Sequence, residues 1–395
     1  MTSTNSDIHV LVTGGTGFIA GHLCYQLLTR SYHVHATVRS LEKGAKELRE
    51  ALLEYDQSHH QDSNVKLTEE LLQQRLHVFE ADLLKEGSFA QALNGCQFVH
   101  HTASPYILNV KDPQKDLVDP ALKGTMNVLG ECVKLREKQS KDDPKRLQRI
   151  ILTSSIAAIV DTPEIDKVYT ENDWNELSEL YRNPYFYSKT VSEKAAWKYL
   201  TEMEEKHGPD FLELAVINPC GVIGESIFPK QLNQSHETIT KLCNGELPII
   251  ISLSFTYVDV KDVALAHVQA MILESDNKSR FAPSKKERFI TACGDSVPMK
   301  EIIEYLKEVF PNPPNTWTKN LPTFNLEGTL GTYIVKFSAL FQPKFVRQVI
   351  TANIGRPQLF DNSKSRQVLE INYIGWKQQV KETVNYMIKA GYIKC

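Results

Sequence analysis

The stretch "HVLVTGGTGFIAGHL", from His9 to Leu23, constrains this chain more than any other. A short apolar run leads into Gly14, Gly15 and Gly17, and a helical pattern follows at once. Glycines here permit a tight turn and let the backbone approach a pyrophosphate closely. The helix that opens next offers free N–H groups and the positive end of its dipole to the same anion. Ala20 supplies the small side chain needed where that helix packs on the strand. Strand, glycine turn and helix in this order predict a dinucleotide site built on Thr13, Gly14, Gly17, Phe18 and Ile19.

The pattern then repeats without the glycines. "HVHATVR", "LHVFEAD", "FVHHTA", "RIILTSS" and "ELAVINP" read as further strands, separated by amphipathic stretches such as "GTMNVLGECVKLREK". Short β-branched runs alternating with helices predict an α/β fold: a Rossmann-type, doubly wound parallel sheet with a smaller C-terminal substrate-binding lobe. The expected division is residues 1–220 for the dinucleotide domain, completed by about 256–275, and 221–395 mostly for the lobe. Polar residues 52–75, with His59 and His60, read as a solvated loop inserted after a helix. "LGTYIVKFSALFQPKFVRQVI", from Leu330, reads as a buried or lid-like helix pair. Lys336, Pro343, Lys344 and Arg347 interrupt it too often for a membrane span.

Composition narrows the function classes. A formal charge of −3 argues against a nucleic-acid surface. Seven scattered cysteines without a Cys-x-x-Cys pair suggest free thiols in a reducing compartment, not a disulfide frame or zinc site. The opening residues lack a basic segment followed by a long apolar run, so the expected location is the cytoplasm, and the expected assembly a monomer or homodimer.

The second strand ends in "ATVRS". A carboxylate there would receive the ribose 2′-hydroxyl of NAD; Arg39 stands in its place, with Lys43 and Lys46 close by, which favours the 2′-phosphate of NADP(H). Asp82 and Leu83 follow the third strand, near the expected adenine edge. The fifth strand ends in "TSS", placing Ser154 and Ser155 at the carboxyl edge where open α/β sheets bind ligands. Three Tyr-x-x-x-Lys pairs occur: Tyr185/Lys189, Tyr257/Lys261 and Tyr373/Lys377. Only residues four apart on a helix are neighbours. Tyr257 falls in an expected strand and Tyr373 lies far from any cofactor signal, which leaves Tyr185 with Lys189 in "NPYFYSKTVSEKAAW".

Through these stretches the chain resembles the extended short-chain dehydrogenase/reductases, within them the dihydroflavonol reductase and cinnamoyl-CoA reductase group. The matching motifs run nearly end to end: "VTGGTGFIAGHL", "VRS", "ADL", "HTASP", "GTMNVL", "TSS", "YFYSKTVSEKAAW", "INPCGVIG", "YVDVKDVALAH" and "FDNSKSRQVLEI". The resemblance implies a reductase of a hydrophobic aldehyde or ketone. In it Tyr185 acts as general acid, Lys189 lowers the phenol's pKa and holds the nicotinamide ribose, and Ser155 binds the substrate oxygen. It also implies that Pro219 lies near the nicotinamide, and that Tyr106, Val160 and Cys220 are candidate substrate neighbours. Asn127 reads equally as a proton-relay residue or a helix-packing one, and Cys220 as a reactive thiol or a small buried hydrophobe.

Overall fold

In the computed structural model the described residues are 5–59, 65–104, 110–209, 211–228, 231–273, 286–294, 296–312, 314–341 and 344–394. The first strand β1 (His9–Val12) turns into α1 (Phe18–Leu28), and β2 (His33–Val38) follows. Next come α2 (Leu41–His59), α3 (Glu69–Arg75), β3 (Leu76–Glu80), α4 (Ala90–Leu93) and β4 (Phe98–His101). The chain continues through α5 (Asp119–Lys138), β5 (Arg149–Thr153), the short β6 (Val168–Tyr169), α6 (Pro184–His207) and β7 (Glu213–Pro219).

Beyond residue 220 lie β8 (Gly221–Ile223), α7 (Gln234–Cys243), β9 (Ile249–Ile251), β10 (Ser254–Asp259) and α8 (Val260–Ile272). Then follow β11 (Lys286–Thr291), β12 (Ser296–Pro298), α9 (Met299–Val309), β13 (Phe324–Leu326), α10 (Gly328–Ser338), α11 (Lys344–Asn353), β14 (Leu359–Phe360), α12 (Ser363–Val368) and α13 (Trp376–Lys389).

Seven strands form one sheet in the order β11-β7-β5-β4-β1-β2-β3, every pairing parallel. Alternation along each strand explains the two faces. Val10, Val12, Ile151 and Ile217 pack with α1, α2 and α8, whereas Leu11, Ile150, Leu152 and Val216 pack with α4, α5 and α6. The strand order reverses between β1 and β4, where a doubly wound sheet opens its ligand crevice. The seventh strand, β11, comes from late in the chain and pairs with β7 from Leu214 to Pro219. A separate core of Ile239, Ile302, Leu306, Trp317, Val380 and Val384 supports the smaller lobe.

Two expectations change. Residues 52–75 are largely helical: α2 continues to His59, and Thr68 caps α3 by accepting from the Leu71 N–H at 3.2 Å. The reason is burial that composition hides. Leu52, Tyr55, Leu67 and Leu72 sit in the core, and the Asp56 carboxylate accepts from the Tyr25 hydroxyl and the Leu67 N–H, each at 3.0 Å. His59 pairs with Glu225 at 3.2 Å; His60 lies outside the described residues. The segment from Leu330 does form two helices, yet Leu330, Tyr333 and Phe337 on α10 and Phe341 just after it are exposed, so of the two readings, buried or lid-like, the buried one fails. Gln348 donates to the Tyr181 carbonyl at 3.3 Å and Arg356 to the Pro163 carbonyl at 2.9 Å. The pair thereby rests on the segment that leads into α6. Among the described residues no helix is long and apolar enough to cross a membrane.

Candidate active site

The glycine turn has the shape its sequence suggested. Gly14 holds φ +71°, a conformation that glycine adopts without strain. A Cβ on Gly17 would lie 3.0 Å from the Gly14 carbonyl oxygen, so a side chain there would require the turn to give by a few tenths of an ångström. Thr13 ties this turn to the neighbouring strand. Its hydroxyl lies 3.0 Å from His101 Nδ1 and accepts from the Thr102 and Ala103 N–H groups at 3.1 and 3.0 Å. Ala103 packs under Gly14, and Ser104 accepts a hydrogen bond from Lys189 Nζ at 3.3 Å. A continuous path of contacts therefore joins the glycine turn to the lysine. The Gly14, Gly15 and Gly17 N–H groups brace the turn itself, bonding the Thr37 hydroxyl, the Thr37 carbonyl and the Gly14 carbonyl, and the start of α1 at Phe18 and Ile19 fits a pyrophosphate.

The remaining cofactor candidates line the same edge. Arg39 is exposed at the end of β2, and its guanidinium makes no ion pair among the described residues. Lys46 is exposed and lies 3.8 Å from Glu50. Asp82 caps its own turn by accepting from the Leu84 N–H at 2.8 Å, and Leu83 lines a cleft with Ala103, Thr125, Ser154 and Lys189. Asn127 donates to the Leu83 carbonyl at 2.7 Å, a packing contact between α5 and the turn after β3. Pro219 ends β7 opposite Thr291.

The two serines of "TSS" do different things. The Ser154 hydroxyl donates to the buried Glu193 carboxylate at 2.5 Å. The Ser155 hydroxyl accepts from the Ala157 N–H at 3.1 Å and lies near enough to the Tyr185 phenol to favour its ionised form. Tyr185 and Lys189 lie one turn apart on α6, which packs on the 156–158 turn that Ser155 caps. Tyr257 is buried in β10, and Tyr373, outside any helix, donates to Ser365 at 2.7 Å.

Local sequence explains how α6 begins where it must. Asn183 occupies the left-handed region at φ +51°, and Pro184 starts the helix with its φ already set. The Asn183 amide donates to Asp161 at 2.9 Å, and Ser178 donates to the same carboxylate at 2.5 Å. Asp161 has no side-chain exposure, yet its pKa stays below the ordinary value: burial raises it, and hydrogen bonds from Ser178, Asn183 and Thr162 outweigh that. Replacing Asn183 by alanine forces a Cβ-bearing residue without Asn's local hydrogen bonding into this region, at roughly 1–2 kcal/mol beyond the lost hydrogen bond. Asn183→Gly loses the hydrogen bond alone. Thermal melts should therefore rank wild type above Asn183→Gly, and that above Asn183→Ala; equal melting of the two variants would contradict the strain assignment.

Electrostatics depart from one expectation. In the protein alone the Tyr185 phenol titrates above its ordinary value, because burial outweighs the nearby Ser155 hydroxyl. Burial also pushes Lys189 down to about 8, with Glu193 opposing. The desolvation that surrounds both groups acts against the charged form of each. Burial raises the Cys220 thiol well above its ordinary value, and both Cys220 and Val160 pack inside the sheet core. Tyr106 lies outside the described residues. Sequence reading missed Thr13 and His101 as the clasp between β1 and β4, and Asp161 as the anchor for α6; only long-range pairing reveals either.

Residues 11–312 match the model of the 3-beta hydroxysteroid dehydrogenase/isomerase family. The chain belongs to that family. It is thus an extended short-chain dehydrogenase/reductase, an oxidoreductase by class. Among its relatives, cinnamoyl-CoA reductase CAD2 of Medicago truncatula is 36% identical over 320 residues, covering 79% of this chain and 84% of the relative. The ketoreductase azaE of Aspergillus niger is 32% identical over 403 residues, covering 97% and 98%. Among solved structures, the yeast methylglyoxal/isovaleraldehyde reductase Gre2, complexed with NADPH, aligns with TM-score 0.69 at 25% identity, covering 98% of this chain and all of that one.

Proposed function

We propose that this family member is an NADPH-dependent reductase of a hydrophobic aldehyde or ketone, reversible as an alcohol dehydrogenase. The observation that carries the reading is that Ser155 and Tyr185 adjoin each other with Lys189 one turn further along, set at the carboxyl edge of the sheet beside the glycine turn. NADP(H), when bound, supplies or accepts the hydride. The turn from Thr13 to Ile19 holds its pyrophosphate, Arg39 and Lys46 its 2′-phosphate, Asp82 and Leu83 its adenine, and Lys189 and Pro219 its nicotinamide end. Residues 1–220, completed by about 256–275, form this cofactor domain, and 221–395 mostly the substrate lobe.

Tyr185 donates its phenolic proton to the carbonyl oxygen as that atom gains charge, and Ser155 donates a second hydrogen bond to the same oxygen. The buried phenol keeps its proton at neutral pH, which suits an acid in the reducing direction. The hydrophobic character of the substrate rests on likeness to a ketoreductase and to an isovaleraldehyde reductase. A hydroxysteroid substrate is the second reading, favoured by the name of the matching family.

The test is NADPH oxidation followed at 340 nm against a panel of aldehydes, ketones, hydroxysteroid-derived ketones and CoA thioesters, with NADH in parallel. NADPH-dependent turnover on aldehydes or ketones supports the reading, and turnover on steroids alone replaces it with the second. Arg39→Asp should erode the preference for NADPH over NADH by roughly 10–100-fold, the worth of one charge-assisted contact. An unchanged preference in that variant would move the 2′-phosphate site away from Arg39.

A further inference from the structure

Behind the Tyr185/Lys189 face lies a carboxylate that the proposed reaction does not use. Glu193 is one turn beyond Lys189 on α6, fully buried, and it lines the same cleft. Its oxygens accept from Ser154 Oγ at 2.5 Å, Asn218 Nδ2 at 2.8 Å, Trp197 Nε1 at 3.2 Å and Arg288 Nε at 2.6 Å. Asn218 also donates to the Ser155 carbonyl at 3.2 Å. Arg288 is held in turn: it donates to the Glu171 and Asp173 carbonyls, each at 2.8 Å, and its guanidinium carbon stacks 3.8 Å from the Trp174 ring centroid. The carboxylate thus sits where β5, α6, β7 and β11 meet.

We propose that Glu193 is a positioning residue for the active site, fixing the Ser154–Ser155 edge through Ser154 and Asn218 and serving as counter-charge to the Lys189 ammonium. The inference rests on the reductase reading of Lys189. Four donors on one buried carboxylate exceed what an interior ion pair with Arg288 alone requires. Two of the four lead directly to the strand end that carries Ser155.

Among the described residues the groups facing Lys189 are few. Ser104 follows β4, and His101 on β4 is buried and neutral, pushed down to about 3 by burial and then by Lys189. From α5 the cleft receives only Pro120, Ala121 and Thr125, which do not titrate. Tyr185 and Glu193 share the helix with Lys189, and Arg288 lies beyond Glu193. Glu193 is therefore the carboxylate that opposes the desolvation of Lys189.

The experiment labels Lys189 with acetic anhydride across pH 6–10 in the protein without cofactor, quantified by mass spectrometry, and records the pH profile of kcat/KM beside it. Glu193→Gln should move the Lys189 titration and the alkaline limb of activity down by about one pH unit. Because Glu193→Gln leaves Arg288 buried without its partner, the Glu193→Gln/Arg288→Met pair is measured too and should show the same shift. Ser154→Ala keeps both charges; it should lower kcat while leaving the Lys189 titration in place. A folded Glu193 variant with an unmoved Lys189 titration overturns the counter-charge role. An unchanged kcat in Ser154→Ala overturns the positioning role, even where the Glu193 variants fail to fold. Lys189 labelling needs no turnover, so wild-type protein inactive on every carbonyl would defeat the reductase reading while the effect of Glu193 on Lys189 is still read.

Discussion

Replacing Tyr185 by phenylalanine lowers kcat for carbonyl reduction by roughly 10²–10⁴-fold, the usual contribution of a positioned general acid. The substitution removes one oxygen and keeps the ring in place on α6, so NADPH binding, followed by fluorescence titration, changes little. The pH dependence has a definite sign. Burial holds the phenol protonated past neutrality, so reduction proceeds on a broad neutral plateau and declines as the pH rises through the region where Lys189, pushed to about 8, loses its charge. Alcohol oxidation requires the phenolate and should rise only at higher pH, as the phenol itself ionises above its ordinary value. A Tyr185→Phe enzyme keeping a tenth or more of wild-type kcat would show that the proton comes from elsewhere.

Acid should unfold this protein well before its surface carboxylates are exhausted. Several histidines among the described residues are buried and neutral: burial lowers His22 and His236 to about 4 and His101 and His267 to about 3, and holds His100 well below its ordinary value. Each is depressed relative to the unfolded chain, which takes up its proton near 6.5. Their stability is therefore fully present above that value and is lost as the pH falls toward 4. By pH 5 each accounts for a loss of about 2 kcal/mol, at 1.36 kcal/mol for each unit of pH.

Two buried carboxylates oppose this. Burial raises Asp259 to about 7 and Asp262 to about 6, so the native state gains protons there as pH falls. That returns roughly 4 kcal/mol by pH 5, on the same conversion. The net loss from those first four histidines and these two carboxylates is on the order of 4 kcal/mol, a large part of a typical domain's stability, and His100 acts in the same direction. Melting at pH 7.5, 6.0 and 5.0 should show a falling Tm, with the steepest drop below 6.5. A Tm at pH 5.0 equal to that at 7.5 would mean that the carboxylates cancel the histidines.

Much of this was legible before any coordinates. Local patterns carry the sheet, because buried parallel strands must be short and β-branched and the helices between them amphipathic. The glycine turn was legible because only certain residues fit its backbone, Gly14 at positive φ above all. The Tyr185 and Lys189 pairing was legible because helical periodicity acts over four residues. The polar insertion was not: Asp56 looks like a loop residue until Tyr25 and Leu67, far along the chain, satisfy its carboxylate.

Sequence by itself determined the strand–turn–helix cradle, the basic residue at the end of β2 and the tyrosine one helical turn before a lysine. Each is a local property, set by backbone sterics and by side chains a few residues apart. Tertiary structure alone decided that Ser154 turns to Glu193 while Ser155 turns to Tyr185, and that burial raises the phenol and lowers the lysine. Hydrogen-bond partners and desolvation depend on groups brought together from β4, β5, α6, β7 and β11. No spacing along the chain encodes which of them will meet.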